Sequence, residues 1–206
     1  MKLAIFGSTG RTGRELVAQA LAQGHEVTAF ARAPEKVALQ HERLRVLPGD
    51  VMDYAAVEQT IAGQSAVLSA LGSPTLKANT VQSEGTRHII RAMGQHGVRR
   101  FICETSLGVG DSHGQPGFVF TYLVQTTFLK HVFADKEIQE RYIRESELEW
   151  VIVRPGALTN GARAGKYRHG LDKSIAGKIS RADVAEFMLR QLTEDTYLRR
   201  TPAICA

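Results

Sequence analysis

Glycines recur at Gly7, Gly10 and Gly13 in the stretch Gly7-Ser8-Thr9-Gly10-Arg11-Thr12-Gly13. Such residues let the backbone turn tightly and approach a pyrophosphate, whose charge can be met by free amide hydrogens at a helix N-terminus. A bare glycine pattern means little in a chain with 19 glycines. An apolar run comes before this one and a helical pattern follows, which is the context a dinucleotide site requires. About 20 residues beyond such a loop, a site for NAD usually carries an acid that holds the ribose 2′-hydroxyl. Here that position is Arg32, with Lys36 one helical turn on and Arg11 in the loop itself. Three cations suit a 2′-phosphate, so the expected cofactor is NADP, used as NADPH. Farther along, Ser106 offers a hydroxyl that could bond a nicotinamide or a substrate; the ordinary alternative is a strand-end serine bonded to backbone.

These residues need a frame, and the apolar periodicity supplies one. Leu3 to Phe6 is short and apolar, as in a strand buried on both faces, and Leu16, Val17, Ala20 and Leu21 then recur at helical spacing until Gly24. His25 to Arg32 and Arg45 to Leu47 read as second and third strands, Tyr54 to Ile61 as a helix, and Ser65 to Leu71 as a fourth strand. Thr80 to His96 is an amphipathic helix with Val81, Ile89, Ile90 and Met93 on its buried face. Arg99 to Cys103 forms a fifth strand that delivers Glu104, Thr105 and Ser106 at its carboxyl end. Gly108 to Gly117 is a loop over that edge, Phe118 to Ser146 a long helical region broken near its middle, and Glu149 to Gly156 a sixth strand closed by a turn. Ala157 to Lys178 is glycine-rich and irregular; Ser180, with Asp183 three residues on, opens a last helix as a capping box. The alternation argues for an α/β fold: one Rossmann-like domain over residues 1–206, a doubly wound parallel sheet with helices on both faces. Ligands on such sheets bind beyond the carboxyl ends of the strands, so residues 107–130 and 157–178 are the expected substrate-side segments.

Composition narrows the class. A chain of 206 residues with 43% apolar and 23% charged content can bury a substantial core and is ordinary for a globular protein. No apolar run approaches a membrane span, and the N-terminus reads as the first strand rather than a signal peptide, so a cytoplasmic protein with no membrane partner is expected. Cys103 and Cys205 suggest neither a disulfide framework nor a metal site, and His113, His131 and His169 are isolated, so no metal is expected. The net charge of +5 forms no helical basic stripe with interleaved aromatics, which disfavours nucleic acid and leaves an anionic small ligand. Arg163, Lys166, Arg168, Lys173, Lys178 and Arg181 face only Asp172 in their stretch, a segment that could gather such a ligand or could be solvated surface.

Several motifs agree in order and spacing: Gly7-x-x-Gly10-x-x-Gly13, Arg32, Gly49-Asp50-Val51, Leu71-Gly72, Thr105-Ser106, Lys136-x-x-x-Glu140, Trp150-x-Ile-x-Arg154-Pro155-Gly156 and Ile179-Ser180-Arg181-x-Asp183-Val184-Ala185. Together they resemble the atypical short-chain dehydrogenase/reductases with an NAD(P)H-binding domain, and within that group the biliverdin reductase B or flavin reductase type. The resemblance implies a Rossmann-type NADPH enzyme that reduces flavins, and in some members linear tetrapyrroles; quinones are a further candidate acceptor, and a monomer is expected. Carried over by position, Gly7 to Thr12 would hold the pyrophosphate, Arg32 and Lys36 the 2′-phosphate, and Asp50 and Val51 the adenine. Leu71, Gly72, Thr105 and Ser106, with Pro155 nearby, would line the ribose and nicotinamide. Lys136 falls where the short-chain reductases place the lysine of Tyr-x-x-x-Lys, which with Ser106 makes it a candidate catalytic-site residue as a nicotinamide-ribose ligand, the ordinary alternative being a surface helix lysine; the tyrosine position is Val132, and Tyr122 precedes no lysine at that spacing. Where the mammalian flavin reductase has a histidine after the sixth strand, this chain has Ala157, so no role of that histidine transfers. These gaps leave a second class open, an NADP(H)-sensing regulator of the NmrA-like type that does not turn over.

Overall fold

The computed structural model describes residues 1–73, 75–115 and 129–206. Its first six strands are β1 (Lys2–Phe6), β2 (Glu26–Ala31), β3 (Leu44–Pro48), β4 (Ala66–Ser69), β5 (Arg100–Glu104) and β6 (Glu149–Pro155). They alternate with α1 (Arg11–Ala22), α2 (Tyr54–Ile61), α3 (Val81–His96) and α4 (Lys130–Glu145), and α5 (Arg181–Arg190) follows. The remaining strands are β7 (Ala157–Thr159), β8 (Arg168–Gly170), β9 (Lys178–Ser180) and β10 (Ala203–Cys205).

An eight-stranded sheet runs in the order β3-β2-β1-β4-β5-β6-β10-β8, and β7 pairs with β9 in a small second sheet. Neighbours from β3 to β10 are parallel; β8 closes the edge antiparallel to β10. The order reverses at β1 and β4, which opens a crevice beyond their carboxyl ends where ligands of such sheets bind.

The pleat of β1 shows why every residue from Leu3 to Phe6 is apolar. Leu3 and Ile5 pack on one face with Leu16, Val17 and Ala20 of α1 and Val184, Phe187 and Met188 of α5. Ala4 and Phe6 pack on the other with Val57 of α2, Ile89 and Met93 of α3 and Ile143 of α4. A strand buried on both sides has no polar alternation to display. The doubly wound parallel sheet with helices on both faces is therefore as expected.

Two helix starts are satisfied in different ways, α5 by its own N-cap serine and α3 by a side chain from another helix. Ser180 caps α5, accepting from Asp183 N–H at 3.0 Å, as the sequence predicts. Asp183 does not reach back to the Ser180 N–H: it accepts the Ser180 hydroxyl at 2.7 Å and the amides of Ala164 and Gly165 at 2.9 and 2.8 Å, fastening the segment before β8 to the helix. Thr80 makes no side-chain bond at the start of α3. Asp135 of α4 takes that role, accepting from Gln82 N–H at 2.9 Å and from the Ser83 amide and hydroxyl. The segment expected to be irregular, 157–178, holds β7 and β8 and leads into β9. The expected helical region is α4 from Lys130 on; its earlier part and Tyr122 lie outside the described residues.

Candidate cofactor and substrate cleft

The loop after β1 is shaped by contacts no side chain would tolerate. Gly7 has φ +75°, and a Cβ there would lie 2.4 Å from the Ala70 carbonyl oxygen. A Cβ on Gly13 would lie 2.1 Å from the Gly7 carbonyl oxygen, so helix and loop touch backbone to backbone. The first backbone bond of α1 runs from Arg14 N–H to Gly10 O at 2.9 Å, and no side chain caps the helix. The amides of its first turn are thus free to meet an anion.

Two clefts meet at this loop. One, of about 260 Å³, is lined by Gly7, Thr9, Gly10, Arg32, Gly49, Val51, Leu71 and Gly72 among others. The other, of about 450 Å³, shares Gly10 and the stretch from Ala70 to Ser73, and continues past Arg11, Thr12, Glu104, Thr105, Ser106, Val132, Lys136 and Arg181. Most positions expected to bind cofactor therefore lie along one crevice at the switch point. Ser8 turns away: its buried hydroxyl donates to Phe30 O at 2.8 Å and ties the loop to β2. Lys36 shares a separate groove of about 370 Å³ with Ser8 and Arg14, not the cleft that holds Arg32. Asp50 is exposed and accepts from Met52 N–H at 2.9 Å in its own turn. Pro155 is buried at the end of β6, where its carbonyl accepts Leu107 N–H at 2.9 Å; it lines neither cleft.

At the second cleft, Lys136 is half-buried and its Nζ donates to Thr105 O at 3.1 Å. Burial lowers its affinity for a proton, and the negative charge of Glu104 opposes that shift. Glu104 itself is 8% exposed and accepts the Thr12 hydroxyl at 3.1 Å. Burial raises its pKa, countered first by the Lys136 charge. Nothing in a strand-end glutamate signals burial, so the sequence alone does not mark Glu104 as a site residue. Ser106 keeps its hydroxyl on the cleft with a long 3.2 Å bond to Leu107 O. Val132, four residues before Lys136, lines the same wall, and among the described residues no tyrosine does.

Behind this wall lies a buried charge network. Glu140, 2% exposed, accepts the Thr105 hydroxyl at 2.8 Å and two bonds from Arg154, at 2.9 Å from Nε and 2.6 Å from a terminal nitrogen. Arg154 also donates to Asp111 at 2.7 Å, and Arg144 donates to both Asp111 and Glu140. The turn after β5 is thereby fastened to α4 and β6. A further cavity of about 450 Å³ lies beyond it, lined by Asp111, Arg144, Arg154 and Trp150, and holds none of the expected cofactor positions. The basic segment is dispersed rather than gathered: of its six cations only Arg181 lines the cofactor crevice, while Lys173 borders the farther cavity. No group of three or more metal-ligating side chains occurs among the described residues, and no described helix is long and apolar enough to cross a membrane.

Proteins of known structure share this arrangement, and one of them is in complex with NADP. ChuY, an anaerobilin reductase from Escherichia coli O157:H7, superposes with a TM-score of 0.84 at 25% identity, covering 99% of this chain and 96% of its own. A wide-type short-chain dehydrogenase/reductase of Veillonella parvula in complex with NADP gives 0.85 at 18% identity, covering 100% and 94%, a likeness of fold. An uncharacterized chloroplastic protein of Arabidopsis thaliana is 30% identical over 94% of this chain and 72% of its own length. The family model described as NAD(P)H-binding matches residues 7–195, and the chain belongs to that family of Rossmann-fold proteins.

Proposed function

We propose that this protein is an NADPH-dependent reductase of flavins, and of related conjugated acceptors such as biliverdin-type tetrapyrroles and quinones, by direct hydride transfer. The observation that carries the reading is the wall of the second cleft, where Val132 stands four residues before Lys136 and no described tyrosine is present. Reduction of a carbonyl leaves an alkoxide that needs a positioned acid, a contribution of about 10²- to 10⁴-fold. Valine cannot supply it. An oxidised flavin accepts hydride at a ring nitrogen and spreads the charge over its own conjugated system, so it asks chiefly for orientation, worth about 7 to 11 kcal/mol of barrier.

The residues fit a dinucleotide: the free first-turn amides of α1 would take the pyrophosphate, Val51 would border the adenine with the exposed Asp50 just before it, and Arg32, with Lys36 on the flanking groove, would meet a 2′-phosphate. When bound, NADPH supplies the hydride. Thr105 and Ser106 would orient the nicotinamide end, with Thr105 itself held by Glu140 through its hydroxyl and by Lys136 through its carbonyl. Arg181, which donates to Asn160 Oδ1 at 2.7 Å on the rim, would favour an acceptor with a phosphate or propionate arm.

The test is NADPH consumption with FMN, riboflavin, biliverdin and simple ketones. We expect turnover of the flavins that survives Lys136→Ala and falls with Ser106→Ala. Turnover of ketones with none on flavins refutes the reading, and background rates with every acceptor favour a sensor.

A further inference from the structure

Gln82, in the first turn of α3, is fully buried at 0% exposure, and neither its amide nitrogen nor its amide oxygen has a hydrogen-bond partner among the described residues. Its place sets it apart, because it lines the same cleft as Ser106, Lys136 and Arg181. Four other glutamines in the fold also have an unpaired oxygen: Gln19, Gln64, Gln139 and Gln191. Each of those spends its nitrogen, on Ala182 O, Thr28 Oγ1, Thr86 Oγ1 and Phe187 O. Among these five buried glutamines, Gln82 alone has both ends of the amide unspent, and it is the one on this cleft.

Burying an amide without partners is costly, and native proteins almost always satisfy such groups. The backbone of Gln82 is fixed, since its N–H donates to Asp135. The side chain is therefore carried into the wall by an anchored turn.

We propose that Gln82 is a ligand-recognition residue whose side-chain amide pairs with a ligand edge that sets an N–H beside a C=O. This rests on the reading of the cleft as the place where nicotinamide and a conjugated acceptor meet. Two groups of that reaction present such an edge: the carboxamide of nicotinamide and the imide of a flavin ring. Both complement a glutamine in the same way, with one donor and one acceptor exchanged.

The experiment compares wild type with Gln82→Met, which keeps the length and removes the polar atoms, and with Gln82→Asn, which keeps the amide but withdraws it by one methylene. Three quantities are read: the melting temperature of the ligand-free protein, the affinities for NADP⁺ and for 2′-phospho-ADP-ribose, which lacks nicotinamide, and kcat and KM for riboflavin. Gln82→Met should raise the ligand-free melting temperature by about 2 °C or more, because an unpaired buried polar group is gone. The same variant should weaken one ligand by about tenfold or more. Loss of NADP⁺ affinity with 2′-phospho-ADP-ribose unchanged assigns the partner as the nicotinamide carboxamide. A tenfold higher riboflavin KM, with kcat and both nucleotide affinities unchanged, assigns it as the flavin imide. Gln82→Asn should repeat the same selective loss without the gain in melting temperature, so the test stands even where one variant is poorly folded. If every ligand binds Gln82→Met and Gln82→Asn as it binds wild type, the proposal is overturned. A wild type that binds NADP⁺ but reduces no flavin sinks the functional reading and leaves the nucleotide comparison intact, so the two failures are separable.

Discussion

Glycine-to-alanine substitution should have opposite signs in two helices of this protein, and the difference is set by the space around each Cα. Gly94 lies near the end of α3 with nothing within 4 Å of a built Cβ. Alanine there should act through helix propensity alone and stabilise by about 0.5–1 kcal/mol. Gly13 lies in the first turn of α1, where the same methyl would meet the Gly7 carbonyl oxygen at 2.1 Å, its carbon at 2.8 Å and Ser8 Cα at 2.9 Å. All three are backbone atoms, so no rotamer change gives relief, and the loop must retreat by about 1 Å. Overpacking of this kind costs about 1–3 kcal/mol and outweighs the propensity gain. For a chain of this size each kcal/mol moves the melting temperature by about 2–4 °C, so we expect Gly13→Ala to melt a few degrees lower and Gly94→Ala a degree or more higher. The displaced loop is also the one whose amides would face the pyrophosphate, so NADPH should bind Gly13→Ala at least about tenfold more weakly, a loss of about 1.4 kcal/mol. Thermal melts and NADPH titration of both variants measure this. If Gly13→Ala melts as high as Gly94→Ala and binds NADPH like wild type, the reasoning from close approach is wrong.

Arg32→Glu should weaken NADPH by about tenfold or more while sparing NADH, since a charge-assisted bond to phosphate contributes about 1.5–3 kcal/mol; equal affinity of wild type for the two cofactors refutes the assignment. Burial pushes the Asp111 carboxyl up, but bonds and charge from Arg154 and Arg144 outweigh this and hold it below its ordinary value. A carboxyl depressed in the folded state contributes stability that is complete above the unfolded pKa of about 3.9 and is lost as pH falls through the folded value. Asp111→Asn should therefore flatten the acid limb of stability against pH without altering it near neutrality in slope, as urea melts from pH 2 to 7 would report.

Much of the crevice could be read from sequence because its signals are local. Gly7, Gly10 and Gly13 are spaced by the geometry of one turn, and Leu3 to Phe6 is apolar because both faces of β1 are covered. The strands β7 to β10 escaped notice for the opposite reason: each is three residues long, too short for periodicity, and is held by partners distant in sequence, as in the pairing of Ala203 with Arg154. Glu104 and Gln82 escaped because charge and amide types are ordinarily exposed, and only the meeting of β5, α3 and α4 encloses them. Helical spacing groups Lys36 with Arg32, but Pro34–Lys36 forms a 3-10 turn, and the two side chains line different grooves.

The bonded pair Glu140 and Arg154 also constrains how this sequence can drift. Removing one member of a buried ion pair strands the other at about 3–5 kcal/mol, most of the stability margin of many domains, whereas replacing both by packed apolar residues is often close to neutral. Intermediates with one substitution are thus selected against more strongly than either endpoint. The two positions, one on α4 and one on β6, should therefore be inherited together with the partners that share their bonds: without the carboxylate Arg154 keeps only the exposed Asp111, and without the guanidinium Glu140 keeps Arg144 and the Thr105 hydroxyl.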